Sequence, residues 1–267
     1  MVSFLSKLEA LKSILTEIGK AVVTLSGGVD SSCLACIAKE ALGCNVCAVT
    51  VSSPLLPKRE RIETQKLAEN MKIPHEFIEI DELMDVNFSS NPNDKCYICK
   101  KLRLEIISSW AKQRDIPWIL DGSNVDDLSD FRPGMKALEE FKNVRRPFLE
   151  AGINKNEIRA IAELSGLSVW NKPAAACLAS RISRDQSITR QNLKQVEESE
   201  EFLYTILPRE TQLRVRHHRE TARIEVDEIC MEKMIINSDD IVNYFKNAGF
   251  KHVALDLEGY RKGSLNN

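Results

Sequence analysis

Short apolar runs alternate with amphipathic stretches through the first half of the chain. Ala21-Val22-Val23-Thr24-Leu25 has the β-branched, uninterrupted apolar character of a strand buried on both faces of a parallel sheet. A second apolar run lies at residues 46–51, and residues 75–80 and 118–120 read as further strands. Between them, residues 31–42, 59–71 and 100–112 repeat apolar positions at helical spacing, and residues 1–20 read as an amphipathic helix. Strands alternating with helices of ten or more residues predict a doubly wound, mostly parallel α/β sheet. A short helix is expected near 134–141, and Asn154 caps a helix over 155–165 that Gly166 ends.

The second half has a different rhythm. Residues 171–185 contain Pro173 and read as irregular. A long helix over 189–207, strands at 212–217 and 221–226, a helix over 238–248 and a strand at 253–257 then predict a small α+β domain. The expected division is residues 1–180 and 181–267. No internal repeat or low-complexity tract interrupts it.

Composition alters this picture little. The 267 residues carry a net charge of −2, so no global field draws the chain to nucleic acid or acidic membranes. No run approaches the ~20 apolar residues that span a bilayer, and residues 1–20 lack a signal peptide's apolar core. A cytoplasmic location is expected, where eight cysteines serve better as thiols, metal ligands or redox groups than as disulfides.

The strongest chemical signal is Ser26-Gly27-Gly28-Val29-Asp30-Ser31-Ser32, set between a predicted buried strand and a helix. Glycines let backbone N–H groups turn toward an anion, and the helix adds its positive end. Ser26, Ser31 and Ser32 supply hydroxyls, and Asp30 is a carboxylate suited to holding Mg²⁺ against phosphates. No Lys follows the glycines, so this is not a Walker A loop. It is similar to the signature of the N-type ATP pyrophosphatases, which cleave ATP between the α and β phosphates. A second acidic loop, Asp121-Gly122-Ser123-Asn124-Val125-Asp126-Asp127, follows the predicted fourth strand. By the switch-point rule it can face the same cleft, with Gly122 and Asn124 as further nucleotide contacts; a plain turn is the alternative reading.

Three Cys-x-x-Cys pairs are not equivalent. Cys33/Cys36 and Cys44/Cys47 fall in apolar surroundings and read as structural, as does Cys230. Cys96 and Cys99 lie in a polar, lysine-flanked loop entering a helix, which favours the thiolate. Cys177 sits among small residues near Arg181. Spacing alone leaves an iron–sulfur cluster, a zinc site and a redox dithiol as comparable readings.

Together these segments resemble the LarE-type ATP-dependent sulfur transferases, which serve nickel-pincer nucleotide synthesis. The matching stretches are Ser26–Ser32, the Asn-Pro-x-Asp-x-Cys-Tyr-x-Cys-Lys segment at 91–100, and Asp121-Gly122-Ser123-Asn124 with Asp126 and Asp127. They continue through Asp130-x-Arg132-Pro133-Gly134, Lys172-Pro173, Ala176-Cys177-Leu178-Ala179-Ser180-Arg181 and the tail at 255–261. The resemblance implies ATP-dependent activation of a carboxylate on a pyridinium mononucleotide, followed by sulfur transfer at Cys177. It further implies Mg²⁺ on Asp30, and Cys96, Cys99 and Cys177 as ligands of a [4Fe-4S] cluster that delivers sulfide. Members with a lone cysteine instead give up its sulfur and leave dehydroalanine. Arg214 and Arg216, alternating on one strand, would bind the substrate phosphate in a homo-oligomer; a solvated strand face is the plain alternative. A sulfide or sulfur donor is the second small-molecule partner.

Two rivals remain from the residues alone. A tRNA thiolase would need a basic groove or an appended RNA-binding module. An ammonia-using amide ligase would have no use for Cys96, Cys99 and Cys177. A non-catalytic nucleotide sensor is the remaining class.

Overall fold

The computed structural model describes residues 3–128, 133–173 and 176–261. In chain order the elements are α1 (Phe4–Ile18), β1 (Ala21–Thr24), α2 (Val29–Leu42), β2 (Val46–Ser52), α3 (Lys58–Asn70), β3 (His75–Glu79), α4 (Val86–Ser89), α5 (Lys95–Lys112), β4 (Trp118–Leu120), α6 (Pro133–Glu139), β5 (Val144–Arg145), α7 (Pro147–Glu150) and α8 (Lys155–Leu164). There follow α9 (Arg190–Ile206), β6 (Leu213–His218), β7 (Thr221–Val226), α10 (Met231–Ile236), α11 (Ser238–Asn247) and β8 (His252–Leu255). The chain forms two compact units. One comprises residues 1–53, 58–80 and 94–175, the other residues 54–57, 81–93 and 176–267.

The first unit is built on a five-stranded sheet of order β3-β2-β1-β4-β5 with every neighbouring pair parallel. Side chains alternate across it, as the strand period of two requires. Ala21, Val23, Ala48 and Leu120 join a core with Leu11, Leu15, Leu34, Ile37 and Ile158 of α1, α2 and α8. Val22, Val49 and Ile119 face the opposite way onto Ile107 and Ala111 of α5. The doubly wound parallel sheet expected from the sequence is therefore present. Successive strands run outward in opposite directions from β1, so the switch point falls between β1 and β4.

α5 begins at Lys95, five residues before the predicted start, so Cys96 and Cys99 stand in its first turn instead of a preceding loop. Contact with α6, where Gly134 lies close over the Cys96 carbonyl, supports a turn of modest intrinsic propensity. α8 opens with a capping box: Asn154 Oδ1 accepts from Glu157 N at 2.9 Å, and Glu157 Oε2 accepts from Asn154 N at 2.9 Å.

The second unit contains a three-stranded sheet of order β6-β7-β8, antiparallel then parallel. One face packs Leu213, Val215, Ile224 and Val226 against Leu203 of α9 and Phe245 of α11. The other face carries Arg214, Arg216, Arg223 and Glu225, in register across β6 and β7. No helix among the described residues is long and apolar enough to cross a membrane.

Candidate functional site

The Ser26 loop folds on itself before it meets any ligand. Ser31 Oγ accepts from Ser26 N at 3.1 Å and lies 3.0 Å from Ser26 Oγ, while Ser32 Oγ donates to the Gly28 carbonyl at 2.7 Å. Gly27 has φ +75°, and a Cβ there would land on Thr64 Oγ1, which is fully buried and has no hydrogen-bond partner among the described residues. Both the handedness and the space demand glycine. Behind the loop, Lys172 Nζ donates to the Gly27 carbonyl at 3.4 Å and pairs with Glu60 at 2.7 Å and Glu63 at 2.9 Å. Burial alone would lower the Lys172 pKa, but the two carboxylates overcome it and the net shift is upward. The ammonium therefore stays charged.

The loops after β1 and β4 meet, as their places beside the switch point require. A Cβ on Gly122 would stand 3.1 Å from both Asp30 C and Ser31 N, so one backbone rests on the other. Asn124, buried, donates from Nδ2 to Asp30 Oδ1 at 3.4 Å, and its N–H donates to Asp127 Oδ2 at 3.0 Å. The second oxygen of Asp30 accepts from the Lys155 ammonium. Asp121, also buried, receives Lys100 Nζ at 2.6 Å and Ser123 N at 3.1 Å. Burial pushes the Asp121 pKa up, and Lys100 with the Ser123 bonds more than reverses that, leaving a net depression.

These residues fit a nucleotide and Mg²⁺. That ion keeps several waters and takes one or two carboxylates together with phosphates, so Asp30 suffices on the protein side. Residue type and spacing alone give no role to Lys100, Lys155 or Lys172. Lys172 falls within a matching motif, and Lys155 is visible only as the first residue after a cap.

Cys177 is exposed and begins a single 3₁₀ turn, Leu178–Arg181. Its carbonyl accepts from Arg181 Nη1 at 2.9 Å and from Ser180 Oγ at 2.7 Å. Arg181 is itself buried and paired with Glu200 at 3.0 and 3.2 Å, and Glu200 also accepts from Val215 N at 3.1 Å. The backbone under the thiol is thus clamped by a buried guanidinium held on α9 and β6.

The solvated-face alternative for Arg214 and Arg216 fails, since they are only 8% and 5% exposed. Arg216 donates from Nε and Nη2 to Glu225 at 3.0 and 2.8 Å and from Nη1 to the Ser180 carbonyl at 3.1 Å. Arg214 lies 5.0 Å from the Tyr260 ring centre and donates to the Leu213 carbonyl at 2.6 Å; among the described residues it forms no ion pair with a carboxylate. Burial, then the neighbouring Arg181 charge, pushes its pKa down. Such a guanidinium suits an incoming anion.

Cys96 is exposed and Cys99 half-buried on the first turn of α5. Their thiols and the lysines around them suit two ligands of a cluster. Among the described residues, however, no group of three or more His, Cys, Asp or Glu side chains is placed to hold a metal ion. Burial pushes the Cys33, Cys36 and Cys47 thiols upward, away from the thiolate, whereas Cys44 is exposed. Asp130 and Arg132 of the matching segment, with Ala174 and Ala175, lie outside the described residues.

Replacing Gly27 with Ala is expected to cost about 1–2 kcal/mol of backbone strain, in addition to the collision with Thr64. Titration with an ATP analogue should then show binding weakened about tenfold or more. The Gly27→Ala/Thr64→Ala double variant should recover part of this loss. Undiminished binding in the single variant would show that the loop does not hold the nucleotide.

Comparison with known proteins extends the same segments. Residues 6–112 match the NAD synthase family. An uncharacterized protein of Synechocystis sp. is 37% identical over 98% of this chain and 97% of its own length. One component of the glutamine-hydrolyzing GMP synthase of Archaeoglobus fulgidus is 28% identical over 59% of this chain and 55% of its own, a match that is partial on both sides. The pyridinium-3,5-bisthiocarboxylic acid mononucleotide synthase of Lactiplantibacillus plantarum is instead 32% identical over 100% of this chain and 96% of its own. A glycine–serine loop after β1, a cysteine with its carbonyl clamped at Cys177 and full-length identity at this level agree, and the chain belongs to the LarE-type family of ATP-dependent sulfur transferases within the PP-loop ATP pyrophosphatases.

Proposed function

We propose that the enzyme converts carboxylates of pyridinium-3,5-biscarboxylic acid mononucleotide to thiocarboxylates. A substrate carboxylate oxygen attacks the α-phosphorus of ATP, pyrophosphate leaves, and an acyl-adenylate forms. A sulfur nucleophile then attacks the acyl carbon, the C–O bond to AMP breaks, and the thiocarboxylate remains. The Ser26 loop holds the departing pyrophosphate through its N–H groups, Ser26, Ser31 and Ser32. Asp30 would hold Mg²⁺, which would supply positive charge to the phosphates, and Gly122 and Asn124 shape the cleft beside it. Arg214 and Arg216 receive the substrate phosphate, with Arg214 as the stronger candidate because no described carboxylate forms an ion pair with it.

The observation that carries this reading is the exposed Cys177 thiol on its buried Arg181–Glu200 clamp, in a chain that matches the synthase end to end. Sulfur enters at Cys177. The finer reading is that Cys96, Cys99 and Cys177 are three thiolate ligands of a [4Fe-4S] cluster; the ligand chemistry supports it, and when bound the cluster would supply sulfide. Assembly into a homo-oligomer in the cytoplasm is part of the same reading.

Anaerobic purification, iron and sulfide analysis and mass spectrometry of Cys177 after turnover test it together. The expected result is about four irons per chain, with the Cys177 thiol intact after several product equivalents. Loss of about one H₂S from Cys177 per product would replace the cluster with sacrificial chemistry. Absence of any thiocarboxylate, with iron or without it, would overturn the proposed function.

A further inference from the structure

Asp30, the carboxylate offered to Mg²⁺, is engaged on both oxygens. Asn124 Nδ2 takes Oδ1 at 3.4 Å and the Lys155 ammonium takes Oδ2. Lys155 is the first residue of α8, its N–H donating to Asp126 Oδ2 at 2.9 Å, with the Asn154–Glu157 capping box around it. The start of the helix is therefore fixed, and the side chain can swing without disturbing it. The Lys155 and Asp30 side chains are 31% and 30% exposed. An ion pair open to water to this degree is weak and exchangeable.

The pairing has an electrostatic consequence for the loop. A bare carboxylate in the first turn of α2 would repel a triphosphate arriving at the Ser26 loop. Neutralised by Lys155, it leaves the loop N–H groups and the helix end to attract the polyanion. Mg²⁺ needs an oxygen donor, and it cannot occupy Oδ2 while an ammonium is hydrogen-bonded there.

We propose that Lys155 is an exchangeable counter-ion for Asp30. It holds the carboxylate neutral in the empty loop and yields it to Mg²⁺ when the metal–nucleotide arrives. The ammonium then turns to phosphate oxygens that the metal leaves uncovered. This rests on the reading of Asp30 as the metal ligand, and the experiment separates the two.

The full chain is titrated calorimetrically with α,β-methylene-ATP, which cannot be cleaved between the α and β phosphates, with and without Mg²⁺. The quantity read is the ratio of the two affinities. Lys155→Met is expected to raise it about three- to fivefold, because metal-free binding weakens and less Mg²⁺ is needed for half the effect. Lys155→Arg should stay within about twofold of the parent, since the charge is kept. Asp30→Asn should bring the ratio close to one. An unchanged ratio in Lys155→Met beside a collapsed one in Asp30→Asn would overturn the exchange alone. An unchanged ratio in Asp30→Asn would overturn the metal-ligand reading and the exchange with it. Equal weakening with and without Mg²⁺ in Lys155→Met would reduce Lys155 to a brace. Should Lys155→Met melt below the assay temperature, Lys155→Gln gives the same ratio.

Discussion

The Cys177→Ala variant is expected to make no thiocarboxylate while still releasing AMP and pyrophosphate from ATP in the presence of the mononucleotide. The two half-reactions draw on different residues. Ser26, Gly27, Gly28, Asp30 and Asn124 belong to the first unit, and Cys177 to the second. Activation requires pyrophosphate to depart from a held geometry, and no atom of the Cys177 side chain takes part in that. Sulfur transfer needs a sulfur held at the acyl carbon, and alanine can neither ligate a cluster iron nor give up a sulfur of its own. Product formation should fall by at least about 10³-fold, as for loss of a group that the transfer step cannot do without. AMP release should stay within a few-fold, sustained by water attacking the acyl-adenylate. A quenched assay following pyrophosphate and thiocarboxylate in parallel decides it. Retained thiocarboxylate synthesis would place the sulfur elsewhere, and simultaneous loss of both products would show that Cys177 is needed for activation as well.

The second large effect is one of stability. Glu225 is completely buried, accepting from Arg216 Nε and Nη2 on one oxygen and from Arg223 Nη2 at 3.0 Å on the other. Its removal takes the Glu225 carboxylate away from the buried Arg216 guanidinium, with Arg214 on the same strand face, whereas Arg223 keeps Asp256 at 3.2 Å. Breaking a buried pair by deleting one partner commonly costs about 3–5 kcal/mol, because the remaining charge has no water to return to. A domain's whole stability is about 5–15 kcal/mol. Glu225→Ala should therefore shift the unfolding of this unit sharply, with the midpoint in urea lowered by more than about 1 M. Glu225→Gln, which keeps two hydrogen-bonding atoms, should cost less. A shift under about 1 kcal/mol for the alanine variant would mean that water reaches the network readily.

Much of the first unit was legible because its signals are local. β1, β2 and β4 are apolar runs of three to seven residues between amphipathic helices, and the Ser26 loop announces itself through two glycines before a helix. β5 and α7 leave no such signal. Val144–Arg145 is a two-residue strand recruited by pairing with Ile119 and Leu120, too short to impose any period on the sequence. α10, six residues long, escapes for the same reason.

The site was half legible. Residue type and motif point to Asp30, Asn124 and the cysteines as candidates, but the cations around Asp30 depend on distant contacts. Lys155 lies 125 positions from Asp30, and Lys172 lies 112 from Glu60. Arg214 and Arg216 show the opposite difficulty. Their alternation was plain, yet charged residues ordinarily sit at the surface. Nothing in β6 itself records that Ser180 and Tyr260 cover that face.

The backbone contact at Gly122 sets a limit on redesign. Where side chains meet, a scaffold can be retuned by trading volume between partners. Here the main chain of one turn lies against the main chain of another, and neither side has anything to trade. An engineer seeking more room beside the Ser26 loop would have to recut the second loop from Ser123 onward. The hinge of the two loops would be left as found.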